Sequence, residues 1–290
     1  MGARILLHVN YVEQGQTIEE MCAFAARLGC DGIEFRRERK NVPETREQYL
    51  DSIARAYDRF RLREASFGYP AVDLMQPDPA ARRKEIEDYA AFIEMAVKRL
   101  PVRVLNAFTG PLMNPDKSIP YGDYTKHGSF IATDEHYAWA AEGYRELGRV
   151  GQELGVRFAF ETHMCYLHDV PASTRKLLDM IAHPAVGANL DYVNIFCIPG
   201  QPSLEETVAM LSDRIYDVHL KNTCRLDSGR FLSCVGLGDG EVNNRELLRL
   251  LKRCGYDGPL CIEAPRPGDR EWFARQDMAY LRTILADLGY

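Results

Sequence analysis

Val156-Arg157-Phe158-Ala159-Phe160-Glu161 is a short apolar run that closes on a carboxylate. Three runs of the same design follow it: Val186-Gly187-Ala188-Asn189-Leu190-Asp191, Ile215-Tyr216-Asp217-Val218-His219 and Leu260-Cys261-Ile262-Glu263. Each has the length and composition of a strand and ends on a group able to hold a hard cation. The runs recur at intervals of about 30 to 45 residues, with a helical pattern between them long enough to return the chain to the same edge. Parallel strands so connected place Glu161, Asp191, His219 and Glu263 on one rim. One polar residue at a strand end is ordinary. Four in succession are not, because neighbouring strands lie about 4.8 Å apart and a curved wall brings their ends together.

Outward from these runs, toward the N-terminus, strand patterns stand at 4–9, 32–36, 63–67 and 102–108, with helical patterns at about 17–28, 46–60 and 79–100 between them. Thr17 and Glu20 form a capping box, and Gly29 ends the helix that they open. Eight strands alternating with helices predict one closed (β/α)8 barrel, a TIM barrel, with residues 1–290 as a single domain. One connection breaks the rhythm. From 110 to 130 the chain is rich in Pro, Gly and Tyr before a helix begins near Thr133. It follows the fourth strand, so it would hang over the ligand rim as a lid.

Bulk properties predict a soluble enzyme. The chain is 46% hydrophobic and 27% charged, with no apolar run long enough for a membrane span. Its start is too quickly polar for a secretory signal, and its eight cysteines form no Cys-x-x-Cys pair. A cytoplasmic setting is expected, and a homo-oligomer stays open. The net charge of −6 argues against nucleic acid as a partner.

Three carboxylates and one imidazole make an oxygen-rich site that suits a divalent metal, with Mn²⁺ the expected ion and Mg²⁺ or Co²⁺ also compatible. A carbohydrate-like small molecule with adjacent carbonyl and hydroxyl oxygens could chelate such an ion. The polarised carbonyl would then support an enediolate, with Glu161 and Glu263 as the catalytic pair that removes and returns a proton. His163, two residues past Glu161, is expected on the same strand face, either as a base or as a donor to a ligand carboxylate. Lys221, two residues beyond His219, is expected to bind a substrate oxygen.

The Glu, Asp, His, Glu series on strands five to eight resembles the sugar phosphate isomerase/epimerase superfamily, the xylose isomerase-like barrels. That group includes ketose 3-epimerases, inosose dehydratases, 3-dehydroshikimate dehydratases and endonuclease IV repair enzymes. The resemblance spans essentially the whole chain, and two patterns within it compete. In ketose 3-epimerases an arginine six residues after the ligand histidine contacts substrate, and Arg225 stands at that offset from His219. The histidine expected three residues after the ligand aspartate is Asn194 here, and the glutamate expected six residues after the first ligand is Leu167. The second pattern is that of the lyases. Glu161-Thr162-His163, Leu167-His168-Asp169, Asn189-Leu190-Asp191-Tyr192 and His219-Leu220-Lys221-Asn222 are similar to 3-dehydroshikimate dehydratases. There the resemblance implies a base, His163, and loss of a β-hydroxyl from a 3-keto sugar, glycoside or dehydroshikimate-like substrate. The fourth strand offers Leu105 and Asn106 where those dehydratases place an arginine for a carboxylate. An intact glutamate pair favours the isomerase or epimerase reading, with the lyase as the alternative.

Smaller signals complete the candidate site. His8 and Glu34, near the ends of the first two strands, are expected to line the pocket or cap the barrel mouth. Gly236-Leu237-Gly238-Asp239-Gly240 reads as a plain turn more readily than as a phosphate seat. Arg266 is placed to reach an anionic group or the surface. A repair endonuclease would carry more histidine than the seven here, together with a basic face. A barrel kept only for binding would show damage in the ligand set, and none of the four is replaced.

Overall fold

The computed structural model describes residues 2–39, 42–232 and 234–290. Eight strands form one parallel sheet: β1 (Arg4–His8), β2 (Gly32–Phe35), β3 (Glu64–Phe67), β4 (Val104–Ala107), β5 (Arg157–Glu161), β6 (Val186–Leu190), β7 (Ile215–Leu220) and β8 (Pro259–Ile262). Their order is β3-β2-β1-β8-β7-β6-β5-β4, so the first strand pairs with the last and the sheet curls into a barrel. The seam between β3 and β4 is joined by one bridge, Ala65 to Val102, with the Ala65 N–H donating to Pro101 O at 3.1 Å.

The connections are α1 (Ile18–Leu28), α2 (Arg46–Phe60), α3 (Pro79–Val97), α4 (Asp134–Leu154), α5 (Pro171–Ile181), α6 (Tyr192–Phe196), α7 (Leu204–Leu211) and α8 (Asn244–Arg253), and α9 (Arg270–Leu288) follows β8. Local chemistry starts and stops them. Thr17, Thr45 and Ser203 cap α1, α2 and α7 with reciprocal boxes to Glu20, Gln48 and Glu206. Asp78 caps α3 with Pro79 at its first position, and Gly29 ends α1 in the left-handed conformation at φ 71°. Among the described residues no helix is long and apolar enough to cross a membrane, and the eight cysteines are unpaired.

Alternation along the strands divides two environments. Outward residues such as Phe35, Phe67, Phe158 and Phe160 pack under the helices, with Phe67 against Phe92 at 5.2 Å and Phe158 against Tyr89 and Tyr144 at 5.9 Å. The inward face is unusually polar for a barrel, since Glu34, Glu64, Ser66, Asn106, Asn189 and Asp217 are all buried. Arg4 neutralises Glu64 from the far end at 2.6 Å.

Several strands stop a residue short of their sequence runs, and at β6 and β1 the stop serves the rim. β6 ends at Leu190 because the Asp191 carboxylate turns to accept the Asn194 N–H at 3.2 Å and caps α6. β1 ends at His8, whose ring accepts the Asn10 N–H at 3.1 Å. The 110–130 segment crosses this same rim. Leu112 N–H donates to Cys165 O at 2.8 Å, and Ser129 N–H donates to the Asp169 carboxylate at 3.0 Å. Gly128 makes the second contact possible. Its φ is +59°, and a Cβ there would sit 2.1 Å from Asp169 Oδ2.

Candidate metal centre and active site

Glu161 ends β5, Asp191 and Glu263 follow β6 and β8 by one residue, and His219 lies in β7. One donor atom from each lies within 4.8 Å of the others, and all four residues are buried. The parallel sheet accounts for the convergence: each side chain leaves its strand at the same end, and the wall curves through β5, β6, β7 and β8. The site takes shape from these four groups and from what each one touches.

Glu161 has both oxygens held. Asn194 Nδ2 donates to Oε1 at 3.0 Å and Asn106 Nδ2 to Oε2 at 2.9 Å. Below it, the buried His168 ring donates from Nδ1 to the Glu161 carbonyl at 2.5 Å and accepts the Thr109 N–H on Nε2 at 3.3 Å. Burial drives the His168 pKa down to about 3, so this imidazole is a neutral strut for the end of β5. Glu263 Oε1 accepts from Asn10 Nδ2 at 3.0 Å, and its Oε2 lies 2.7 Å from His219 Nδ1. The opposite ring nitrogen, His219 Nε2, lies 3.0 Å from Glu34 Oε2. Lys221 Nζ reaches Asp191 Oδ2 at 2.7 Å, Glu263 Oε2 at 3.0 Å and Glu161 Oε1 at 3.6 Å.

Electrostatics follow from this crowding. Burial alone would raise every carboxyl here, yet Lys221 and His219 hold Glu161 down at about 2. His8, Lys221 and His219 together hold Glu263 well below the carboxylate range. At Asp191 burial wins, and its pKa is raised. Burial opposes charge on His219 and Lys221 as well, but the surrounding carboxylates raise both. The donor set is hard, oxygen-rich and strongly anionic, which fits a divalent cation of the Mn²⁺ or Mg²⁺ kind.

A cavity of about 230 Å³ opens beside the cluster and is lined by Glu161, Glu263, His8, Glu34 and His163 among others. His163 belongs to the loop after β5 and not to the strand, so strand alternation is not what aims it. Its Nδ1 lies 3.0 Å from Met164 O, and its ring packs edge-on against Tyr166 at 5.4 Å. His8 Nε2 stands 3.6 Å from Glu34 and 3.7 Å from Glu263. Asn194 is buried and engaged with Glu161 and Asp191, so it serves the ligands and does not line the cavity.

Arg225 is not brought to the cluster. It is exposed, its guanidinium lies 5.0 Å over the Phe231 ring, and its N–H donates to Glu241. Arg266 is spent on Asp277 at 2.9 Å and stacks on Phe273 at 4.4 Å. The 236–240 segment is a packed turn, with Asp239 N–H donating to Gly236 O at 2.9 Å and a Cβ at Gly238 meeting the Tyr280 ring at 2.8 Å.

Sequence reasoning missed several groups at the mouth: Asn10, Arg36, Tyr69, Phe108 and Tyr166 line the same cavity. Arg36 is paired with Glu13 at 2.8 and 2.9 Å and with Asn10 Oδ1 at 2.6 Å. A signal did exist for Asn106, a polar residue inside an otherwise apolar strand run. The others lie just past strand ends, where composition says little.

Comparison with known proteins agrees with this architecture. The profile of the xylose isomerase-like TIM barrel family matches residues 22–284. Inosose dehydratase of Clostridium perfringens is 25% identical over 150 residues, which are 47% of this chain and 50% of that protein. The chain thus spans about half the length of the relatives it matches. Among solved structures, a xylose isomerase-like TIM barrel protein from Mycobacterium smegmatis in complex with magnesium has a TM-score of 0.76 at 18% identity, covering 99% of this chain and 98% of that one. D-allulose 3-epimerase from a Methylomonas species has a TM-score of 0.74 at 18% identity, covering 98% of each chain. At such identities the likeness is one of fold.

Proposed function

The chain belongs to the xylose isomerase-like TIM barrel family, and from that premise we propose that it is a divalent-metal-dependent isomerase or epimerase acting on a ketose or related polyhydroxy carbonyl compound. The observation that carries this reading is that Glu161 and Glu263, from strands separated by two others, present their carboxylates to one cavity with His219 and Asp191 between them. Glu161, Asp191, His219 and Glu263 would hold the ion. When bound, a divalent cation supplies Lewis-acid polarisation of the substrate carbonyl, which acidifies the neighbouring C–H.

The residues of the chain then handle the proton. Both glutamates are held as carboxylates, so either can act as the base. The two asparagines on Glu161 restrict its rotation and leave the carboxylate aimed at the cavity. Delivery of a proton taken up from solvent by the other glutamate, to the opposite face of the same carbon, gives an epimer, and return of the abstracted proton to the neighbouring carbon gives an isomer. Lys221, paired with Asp191, Glu263 and Glu161 and outside the cavity lining, would offset the charge of these carboxylates.

A second reading is favoured by two particular observations. His163 faces the cavity, while Arg225, the substrate arginine of the ketose 3-epimerase pattern, lies away from it. In that reading a β-hydroxyl departs, with His163 transferring the proton, as the name of the inosose dehydratase relatives suggests.

The experiment is solvent deuterium incorporation with a panel of ketoses and keto-cyclitols in Mn²⁺, for the wild-type protein, Glu161→Gln and Glu263→Gln. Either substitution is expected to lower exchange by at least about 10²-fold, the usual contribution of general acid–base catalysis. Exchange that survives both rules out the glutamate pair. A product that has lost water, with turnover abolished by His163→Ala, selects the lyase.

A further inference from the structure

Glu34 is fully buried at the end of β2, and the proton traffic proposed above makes no use of it. Its two oxygens face two different donors. Oε2 lies 3.0 Å from His219 Nε2, and Oε1 accepts from Asn106 Nδ2 at 3.0 Å. The same Asn106 amide nitrogen donates to Glu161 Oε2 at 2.9 Å, and the Asn106 carbonyl oxygen accepts from Asn189 Nδ2 at 3.2 Å. The two carboxylates, which can only accept, set which end of the Asn106 amide is the donor. A chain of hydrogen bonds therefore runs across the barrel from His219 on β7, through Glu34 and Asn106, to Glu161 on β5.

We propose that Glu34 is the positioning residue of the metal centre: it holds the His219 proton on Nε2, so that Nδ1 faces the cation, and through Asn106 it fixes Glu161. The inference rests on the reading of Glu161, Asp191, His219 and Glu263 as that centre. Its physical basis is donor counting. A group that fits between the His219 N–H and the Asn106 NH₂ must accept on both sides, and a carboxylate does so. Glutamine has the same shape but cannot. Turned one way, its NH₂ opposes the Asn106 NH₂. Turned the other way, it drives the His219 proton to Nδ1, the nitrogen that the ion needs. Partners of this kind, placed behind a ligand imidazole, typically tune metal affinity 10- to 100-fold.

Glu34→Gln is therefore expected to weaken Mn²⁺ binding by about 10- to 100-fold in calorimetry at unchanged stoichiometry, with a circular dichroism spectrum like that of the wild type. Asn106→Leu keeps the His219 contact and loses the Glu161 contact, so it should weaken binding less. The double variant should fall short of the sum of the two, because the residues act as one unit. Should Glu34→Gln fail to fold, the wild-type protein still decides the matter: with ¹⁵N-histidine and Mg²⁺, the His219 proton must reside on Nε2. A proton on Nδ1, or a Glu34→Gln variant that binds Mn²⁺ within about twofold of wild type, overturns the proposal. Wild-type protein that binds no divalent ion at all overturns instead the metal-centre reading beneath it.

Discussion

Replacing Lys221 with methionine tests the electrostatic logic of the site directly. The ammonium stands 2.7 Å from Asp191, 3.0 Å from Glu263 and 3.6 Å from Glu161, and Lys221 is 9% exposed. Methionine keeps most of the apolar stem and removes the charge. Three buried carboxylates then face one another with His219 as the nearest cation. Removing one partner of a buried ion pair typically costs about 3–5 kcal/mol, because the charges left behind are uncompensated. Unfolding entropy near 60 °C is about 2.1 cal/mol/K per residue, or roughly 0.6 kcal/mol/K for this chain, so a loss of about 4 kcal/mol lowers Tm by about 7 °C. A divalent ion replaces the missing positive charge. Thermal melting of wild type and Lys221→Met in chelator should show that gap, and saturating Mn²⁺ should close at least half of it, since ligand binding adds stability by mass action. A variant that melts with wild type in chelator, or a gap that Mn²⁺ leaves intact, refutes the reasoning.

Two further outcomes follow from other buried groups. Burial, helped by the nearby Glu34 and Glu64 charges, pushes the Asp217 carboxyl up to about 8, against about 3.9 in an unfolded chain, so it is protonated in the native protein at neutral pH. A raised carboxyl pKa costs nothing below the unfolded value, and the cost grows as pH rises to the folded value, up to about 5 kcal/mol for four units of difference. Asp217→Asn should therefore gain stability over wild type in metal-free urea titrations at pH 8.5, with a smaller gain at pH 5, and equal gains at the two pH values would contradict this account. Asp169→Ala removes the acceptor of the Ser129 N–H and of the Ser173 hydroxyl, at about 1–3 kcal/mol for a buried donor left unpaired. Limited proteolysis should then cut within 110–130 faster than in wild type, and an unchanged cleavage rate would show that Asp169 does not secure this segment.

Much of the architecture could be read from residues that are close in sequence. The apolar runs, the Thr17–Glu20 box and Gly29 are local signals, and local sterics and hydrogen bonding are enough to make a strand, cap a helix or end one. The order of the four rim groups was legible for the same reason, because parallel strands joined by helices all finish at the same end. The sequence also showed that Glu34 and Asn106 were polar residues in apolar runs, without showing what they met.

What the amino-acid order determined by itself was the repeat of strand and helix and a rim carrying three carboxylates and an imidazole. Only the tertiary structure decided that Arg225 turns away to Phe231, that His163 reaches the cavity from a loop, that Lys221 sits among three carboxylates, and that Glu34 touches His219, 185 residues along the chain. The physical reason is that such contacts depend on barrel curvature, strand register and loop path, quantities set by the packing of the whole sheet and written in no single segment.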